Sequence, residues 1–507
     1  MGSKSKIPLI LGVLAGVLLL AGIGGFAAYQ FFVNTPKNSY LLAEKGEIDY
    51  FTEVIENRFE SELEWYEQTQ TNAVESSYTL TADVNDPSLS SMGLEQMINQ
   101  SEITMKTQFD KDNEYSSADI SGDITGFTFE GLFAYIDADT AGATFPFIEE
   151  YLILNETDAV SFIDTVEPGS VDEDTEVDYS DFFTSGSLSE EDIEYIQNEY
   201  TSFVREELPD DAFSSENEDI TVGGEEISAE KLTMALSEEQ IQEFLSSLYT
   251  KIADDEELAQ MLRVEFVTNS PAAGADEFIS DFNETLREAA EEVHDQEFPD
   301  GLTSAIWTND DHIVKREFNT AFVESGETVP IEITGEKVVT EDGEEFNYKL
   351  RSEGEGIDIE AALNESEDGS SDYIEFSETG SSEIINLSMD KTAGETDETN
   401  IQVDFPAGFE GETVSLFWDM EGTYEGDQMS QIHTLYADDG VTVSKDNFAV
   451  NIDVTGSTLN QVDKPEAADT VDLGSMDEPE LERYFNAFGE KFSEWIGENS
   501  PGMEQGF

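Results

Sequence analysis

The first pattern along the chain is an uninterrupted apolar run. Ile7–Val33 reads IPLILGVLAGVLLLAGIGGFAAYQFFV, 27 residues without a charge. As a helix at about 1.5 Å per residue it spans about 40 Å, enough to cross a ~30 Å hydrocarbon layer with some tilt. Lys4 and Lys6 precede it, so the positive-inside rule puts the N-terminus in the cytoplasm and the bulk of the chain outside. The rival reading is a cleavable signal peptide ending near Gly25-Phe26-Ala27. Its apolar core would run only about 7–15 residues, so an uncleaved single-pass anchor fits better. Gly12 and Gly16 form a GxxxG through which two anchors can approach as a homodimer, although glycine is also simply common in membrane helices.

The period then becomes helical. Ile48, Phe51, Ile55, Phe59 and Tyr66 predict a membrane-proximal helix over 47–68, docked on the rest of the chain rather than on anionic lipid that its glutamates would repel. From Ser76 the period is two. Tyr78-Thr-Leu80, Ile103-Thr-Met105, Phe127-Thr-Phe129 and Leu132–Ile136 predict an antiparallel meander with a bulge at Gly131. A helical block follows. Ser189–Asp192 is close to a capping box and Ser237–Gln240 is a full one, the latter before a stripe of Ile241, Phe244, Leu245, Leu248 and Ile252. Pro271 opens a further helix. From Ala305 the period of two returns for about ten strands, with a DG turn at Asp342-Gly343, and Pro479 starts a last amphipathic helix.

This order predicts an α+β fold: an N-terminal transmembrane helix, two large curved antiparallel sheets with a helical block between them, and a C-terminal helix. The expected divisions are a head and anchor over 1–36, the membrane-proximal helix over 37–72, the first sheet plus helical block over 73–300, the second sheet over 301–470, and the C-terminal helix and tail over 471–507.

Charge changes the picture more than length does. The 507 residues carry 116 Asp plus Glu against 22 Lys plus Arg, a net charge of −94. The 33 Phe and 17 Tyr exclude a disordered acidic tail. Charge spread this evenly points to halophilic or alkaliphilic adaptation, with a cation-binding surface as the alternative. It excludes direct nucleic-acid binding, since phosphate is repelled. The absence of cysteine excludes disulfides, thiolate metal sites and a lipidated cysteine, and three histidines leave little for His-based catalysis.

Candidate chemistry is sparse. Asn364–Glu375 has the spacing of a calcium loop, with Asp368 and Glu375 as anionic ligands; an acidic hairpin loop is the alternative, and no other cofactor is expected. Ser228–Lys231 and Ser388–Lys391 satisfy the SxxK spacing of some acyl enzymes, but both fall on strands or turns rather than on a helix. Phe127, Phe129, Phe133, Tyr135, Phe145 and Phe147 line either an apolar cavity for an acyl chain or an ordinary sheet core.

The anchor followed by Asn34-Thr-Pro-Lys-Asn-Ser-Tyr40 and the helix to Tyr66 resembles membrane-anchored extracytoplasmic proteins of Gram-positive bacilli. The hairpin Ile306–Glu317, IWTNDDHIVKRE, resembles the half-barrel lipoproteins of the LolA and LppX type. That likeness implies a curved sheet and helical lid enclosing a lipid-binding cavity, although the lipobox cysteine of those lipoproteins is missing here. The expected function is therefore a non-enzymatic, single-pass cell-surface protein binding a lipid-like or protein ligand in the cell envelope. A structural or assembly role is the alternative, and an extracytoplasmic hydrolase the third reading.

Overall fold

The computed structural model describes residues 35–499 apart from 125–126, 167–176, 178, 185–189, 270–274, 311, 341–342, 367, 382–383, 408–411, 442 and 463–468. In chain order the elements begin with α1 (Pro36–Arg58), α2 (Glu60–Thr71), β1 (Ala73–Val84), α3 (Pro87–Met92), α4 (Leu94–Asn99), β2 (Glu102–Asp110), β3 (Tyr115–Ile124), β4 (Phe127–Asp137), β5 (Thr140–Thr144) and β6 (Tyr151–Asn155). They continue with α5 (Glu156–Val166), α6 (Asp181–Thr184), α7 (Glu190–Glu207), β7 (Phe213–Val222), β8 (Glu225–Leu236), α8 (Glu238–Ala253), α9 (Glu256–Asn269) and α10 (Ala275–Glu292). The second strand run is β9 (Leu302–Asn309), β10 (His312–Glu324), β11 (Glu327–Val339), β12 (Gly343–Ser352), β13 (Glu355–Ser366), β14 (Gly369–Glu378) and β15 (Ile384–Thr392). It ends with β16 (Asp397–Ala407), β17 (Glu412–Glu425), β18 (Gln428–Asp438), β19 (Phe448–Leu459), β20 (Thr470–Asp472) and the helix α11 (Glu478–Asn499).

Hydrogen bonding corrects the expectation of two sheets: all 20 strands belong to one. The reason is a pairing that no local period reveals. β1 lies antiparallel to β19, Ala73 opposite Leu459 and Val84 opposite Phe448, so the first strand run joins the last. The helical block does not separate sheets either, because its hairpin β7–β8 pairs onward with β9.

The single-pass, N-in/C-out placement is corrected as well. Among the described residues no helix is long and apolar enough to cross a membrane. Ile7–Val33, with Gly12 and Gly16, lies outside the described residues, as do Ser189, Pro271, Asp342 and the tail 500–507. A transmembrane helix is therefore not part of the fold that the structure describes.

Contact density divides the chain into two units: Met1–Phe59, Ser187–Phe266 and Ala275–Met389, against Glu60–Gly186, Val267–Gly274 and Asp390–Phe507. In the first unit β7 to β14 pair antiparallel in sequence order. Helices α7, α8 and α10 cover one face of β8–β11 with a core that includes Tyr200, Leu245, Leu248, Leu286, Ile306 and Phe318. The capping box at Ser237 is complete: Gln240 N–H donates to Ser237 Oγ at 3.3 Å, and Ser237 N–H donates to Gln240 Oε1 at 2.9 Å. It fixes the start of the helix that delivers Ile241, Phe244 and Leu248 to this core.

Helix α1 lies on the same unit by a different chemistry from the one its apolar spacing predicts. Its buried residues are Lys37, Tyr40, Leu41, Glu44, Glu47 and Arg58, which, apart from the adjacent Tyr40 and Leu41, recur at helical spacing along one side. Ile55 is 56% exposed and Phe51 36%. The helix is turned so that its charges meet the scarce cations and a carboxylate of the strands. Arg316 donates through both Nη atoms to Glu44 at 2.8 and 2.6 Å. Lys337 Nζ lies 2.9 Å from both Glu47 oxygens, and Arg58 grips Asp372 at 2.5 and 2.7 Å. The Tyr40 hydroxyl is 2.7 Å from Ser304 Oγ. Each buried charge thus has an opposite partner, the condition under which burial of charge is tolerated. Burial, and then the neighbouring Glu44 carboxylate, push the Tyr40 hydroxyl well above the ordinary tyrosine range. The expected helix over 47–68 is in fact two: Phe59, at φ −118 and ψ 29, ends α1, and α2 begins at Glu60 in the second unit.

In the second unit β16–β17–β18–β19–β1–β2–β3–β4–β5–β6 pair antiparallel, and β20 adds to β6 in parallel. Trp65 of α2 packs on Val74, Met429 and Val454. Gly456 makes room for it: a Cβ there would meet the indole at 2.5 Å.

Candidate functional site: an open apolar sheet face

The register of β16–β17–β18–β19–β1–β2 sorts side chains into two unlike faces. One rung reads Ile401, Trp418, Leu435, Val450 and Ala82 across consecutive strands. The next on the same face reads Thr399, Met420, His433, Ile452, Leu80 and Ile103. A third reads Asp397, Gly422, Gln431, Val454, Tyr78 and Met105. The intervening rung, which points to the other face, reads Asn400, Asp419, Thr434, Asn451, Thr81 and Glu102. Period-two alternation ordinarily buries the apolar face. Here Trp65 covers only its Val74–Val454 end. Leu416 is 47% exposed, Trp418 43%, Leu80 41%, Leu435 39%, Tyr78 37% and Met105 36%.

In a chain with 116 acids these three rungs carry one, Asp397, which is buried at their β16 end and accepts from the Gly394 N–H at 3.0 Å. Singly exposed apolar side chains are ordinary, but a contiguous patch of this kind marks a surface that another molecule covers. Of its polar side chains, Thr399 is buried, Gln431 donates to the Tyr424 hydroxyl at 2.6 Å, and one pair joins Trp418 to His433. Trp418 Nε1–H donates to His433 Nδ1 at 3.1 Å, and burial pushes the His433 pKa below its ordinary value.

The aromatic residues singled out from the sequence fall into two groups. The β3–β4 register jumps between Ile120 and Gly122, at the bulge read at Gly131. Phe127 and Phe129 therefore stand opposite Ile124 and Gly122, whereas Phe133 and Tyr135 stand opposite Asp119 and Ser117 on the other face. Phe133 and Tyr135 meet Tyr151 edge-to-face at 6.3 and 6.5 Å. Phe145 and Phe147 receive Phe488 of α11 at 5.1 and 4.8 Å, and Phe127 meets Trp495 at 5.1 Å. The bulge thus turns one apparent stripe into two packing surfaces, one of them held by the C-terminal helix.

Asp368 is exposed in the β13–β14 turn, and Glu375 lies on β14 opposite Glu360. At about 3.3 Å per residue the two are roughly 20 Å apart along the strand, so the hairpin does not wrap them around one ion. Among the described residues no group of three His, Asp or Glu is placed to hold a metal. Ser228 and Lys231 lie on β8, three residues apart on a strand and so on opposite faces, and Ser388 and Lys391 repeat this on β15. Lys391 is instead bound to Glu62 at 2.6 and 2.8 Å.

Two hollows are polar. One of about 500 Å³ lies beside Ser77, Thr423, Ser430 and Thr455 on the polar face of the second unit's sheet. The other, of about 560 Å³, lies in the first unit beside Tyr195, Lys251 and Asp255. Asp255 accepts from Tyr195 and Tyr200 at 2.9 Å each, and from the Leu258 N–H at 2.9 Å. Burial opposes its charge, yet the Leu258 N–H and the two hydroxyls outweigh it and hold its pKa below the ordinary carboxylate value. A depressed folded pKa means that its contribution is fully present above the unfolded value of about 3.9 and is lost as pH falls through the folded value. Asp255→Ala is expected to cost about 1–3 kcal/mol at neutral pH by stranding the buried hydroxyls, and to flatten the loss of stability below about pH 4. Urea unfolding at a series of pH values measures both; an unchanged acid limb would contradict the assignment.

No family model and no curated protein matches the chain. Among solved structures the chain is similar to Pseudomonas aeruginosa OccK5 (OpdH) at 6% identity, covering 76% of this chain and 97% of that one, with a TM-score of 0.24. It is similar to Acinetobacter baumannii OccAB3 at 6% identity, 76% and 98% coverage and a TM-score of 0.23. A BenF-like porin from Pseudomonas fluorescens Pf-5 follows at 8% identity, 76% and 97% coverage and 0.13. Scores this low carry no argument about fold or function.

Proposed function

We propose that the protein is a non-enzymatic binding protein for a lipid-like amphiphile, held on the open apolar face of the second unit's sheet. One observation carries this reading: three adjacent, mainly apolar rungs in which Trp418, Leu80, Leu435, Tyr78 and Met105 are each more than a third exposed, and whose one acid, Asp397, is buried at their β16 end. Covering about 400 Å² of such surface is worth on the order of 10 kcal/mol before the costs of association. Sheet hydrogen bonds along these strands are already made between neighbours, so the face offers side-chain contact rather than strand addition. A second copy of the chain is disfavoured as occupant by its own net charge of −94. Solvent extraction of protein purified without detergent, followed by mass spectrometry, is expected to yield a bound amphiphile at near-stoichiometric amount. Extracts that match a buffer blank, together with no uptake of added amphiphile, would reject the reading.

A further inference from the structure

The Trp418–His433 pair on the apolar face narrows the ligand, on the premise that the face binds an amphiphile at all. His433 stands mid-rung between Met420 and Ile452, and Trp418 donates its indole N–H to His433 Nδ1 at 3.1 Å, with the rings 5.8 Å apart. A ring nitrogen that accepts a hydrogen bond carries no proton. The neutral imidazole therefore has its hydrogen on Nε2 and can only donate there. Burial keeps the ring neutral near pH 7 by lowering its pKa. The charged groups of the flanking strands, Asp419 and Glu421 on β17 and Asp453 on β19, belong to rungs of the opposite face, and Asp397 on the same face is two strands away on β16, buried and accepting from the Gly394 N–H. Of the other side-chain donors in these rungs, Gln431 is engaged with the Tyr424 hydroxyl at 2.6 Å and Thr399 is buried, so His433 Nε2–H is a neutral donor set between Met420 and Ile452.

We propose that His433 Nε2–H is the polar anchor for the ligand, an uncharged acyl ester or amide. Its carbonyl oxygen accepts from Nε2, and its chain lies along Trp418, Leu435 and Leu416. Charge complementarity selects among acceptors. A free carboxylate is opposed by the net charge of −94, while an alkylammonium, which that charge attracts, has no oxygen to offer. The Trp418 indole N–H, by occupying Nδ1, holds the histidine in the tautomer that donates from Nε2.

The test uses the full chain and two probes of equal chain length, 1-monolauroylglycerol and dodecyltrimethylammonium, each below its micelle concentration. At about 1 M NaCl, where the Debye length is ~3 Å, long-range attraction of the cation is removed. Calorimetric titration is expected to show the ester binding about tenfold tighter, and His433→Phe is expected to bring the two within about twofold by weakening the ester alone. Equal affinities in the unsubstituted protein, or an ester advantage that persists in His433→Phe, would overturn the anchor and leave the apolar-face reading standing. No binding of either probe would overturn both. Nitrogen-detected spectra of the imidazole give an independent readout: Nε2 protonated in the free protein and shifting on ester binding is expected, and a ring protonated on Nδ1 instead would overturn the proposal.

Discussion

Arg316→Met is expected to lower the stability of the first unit by about 3–5 kcal/mol, the cost of leaving one member of a buried pair alone. Glu44 keeps its charge beneath α1 with a side chain only 5% exposed, and the guanidinium that held both its oxygens is gone. The Arg316 pKa shows the strength of the coupling in direction. Burial disfavours its charge, yet the Glu44 carboxylate more than compensates and raises it. In a unit of this size the loss corresponds to a melting temperature roughly 10 °C lower. The double variant Glu44→Leu/Arg316→Met is expected to recover most of it, because two apolar side chains replace a pair that had paid for its own desolvation. Urea unfolding of the three proteins measures this. Arg287 and Asp254, 55% and 61% exposed, provide the contrast: breaking that pair is expected to cost about 0–1 kcal/mol. A loss of that small size at Arg316 would show that α1 is not held by its charged face.

Leu435→Asp is expected to reduce amphiphile affinity about 100-fold while changing unfolding by no more than about 1 kcal/mol. Leu435 pairs with Trp418 on one side and Val450 on the other, at the middle of the open rungs. At 39% exposure an aspartate there remains hydrated in the free protein. Covered by an acyl chain it must lose that water without gaining a partner, a cost of several kcal/mol. Leu435→Met, of similar volume and without charge, is expected to bind as the parent does. Isothermal titration with a neutral lauroyl ester separates the two. Equal affinities across the three proteins would move the site elsewhere.

Much of the local structure is legible in the sequence, and the assembly is not. The capping box at Ser237, the bulge at Gly131 and the C-terminal helix with Phe488 and Trp495 are short-range signals, readable from spacing alone. What spacing cannot show is which strand lies beside which. The pairing of Val84 with Phe448 joins positions hundreds of residues apart, and with it two expected sheets become one. The open face follows from the same pairings. Trp418, Leu435, Ile452 and Leu80 each sit in an ordinary alternating strand, and only the register brings them side by side. Helix α1 misleads for another reason. Ile48, Phe51 and Ile55 offer a plausible apolar stripe, but Glu44 and Glu47 face inward because Arg316 and Lys337 stand opposite them. A buried glutamate is recognisable only once its cation is placed.

The measurement that bears most directly on the central claim is photochemical. A neutral lauroyl ester carrying a diazirine near the end of its chain is bound to the full-length protein, irradiated, and the labelled peptides are mapped. Labels are expected on β17 and β18, around Leu416–Met420 and His433–Ala437, and are expected to disappear with excess unlabelled ester and in Leu435→Asp. Labels confined to the first unit, or spread over the surface and insensitive to competitor, would contradict the claim that the open apolar face is the binding site.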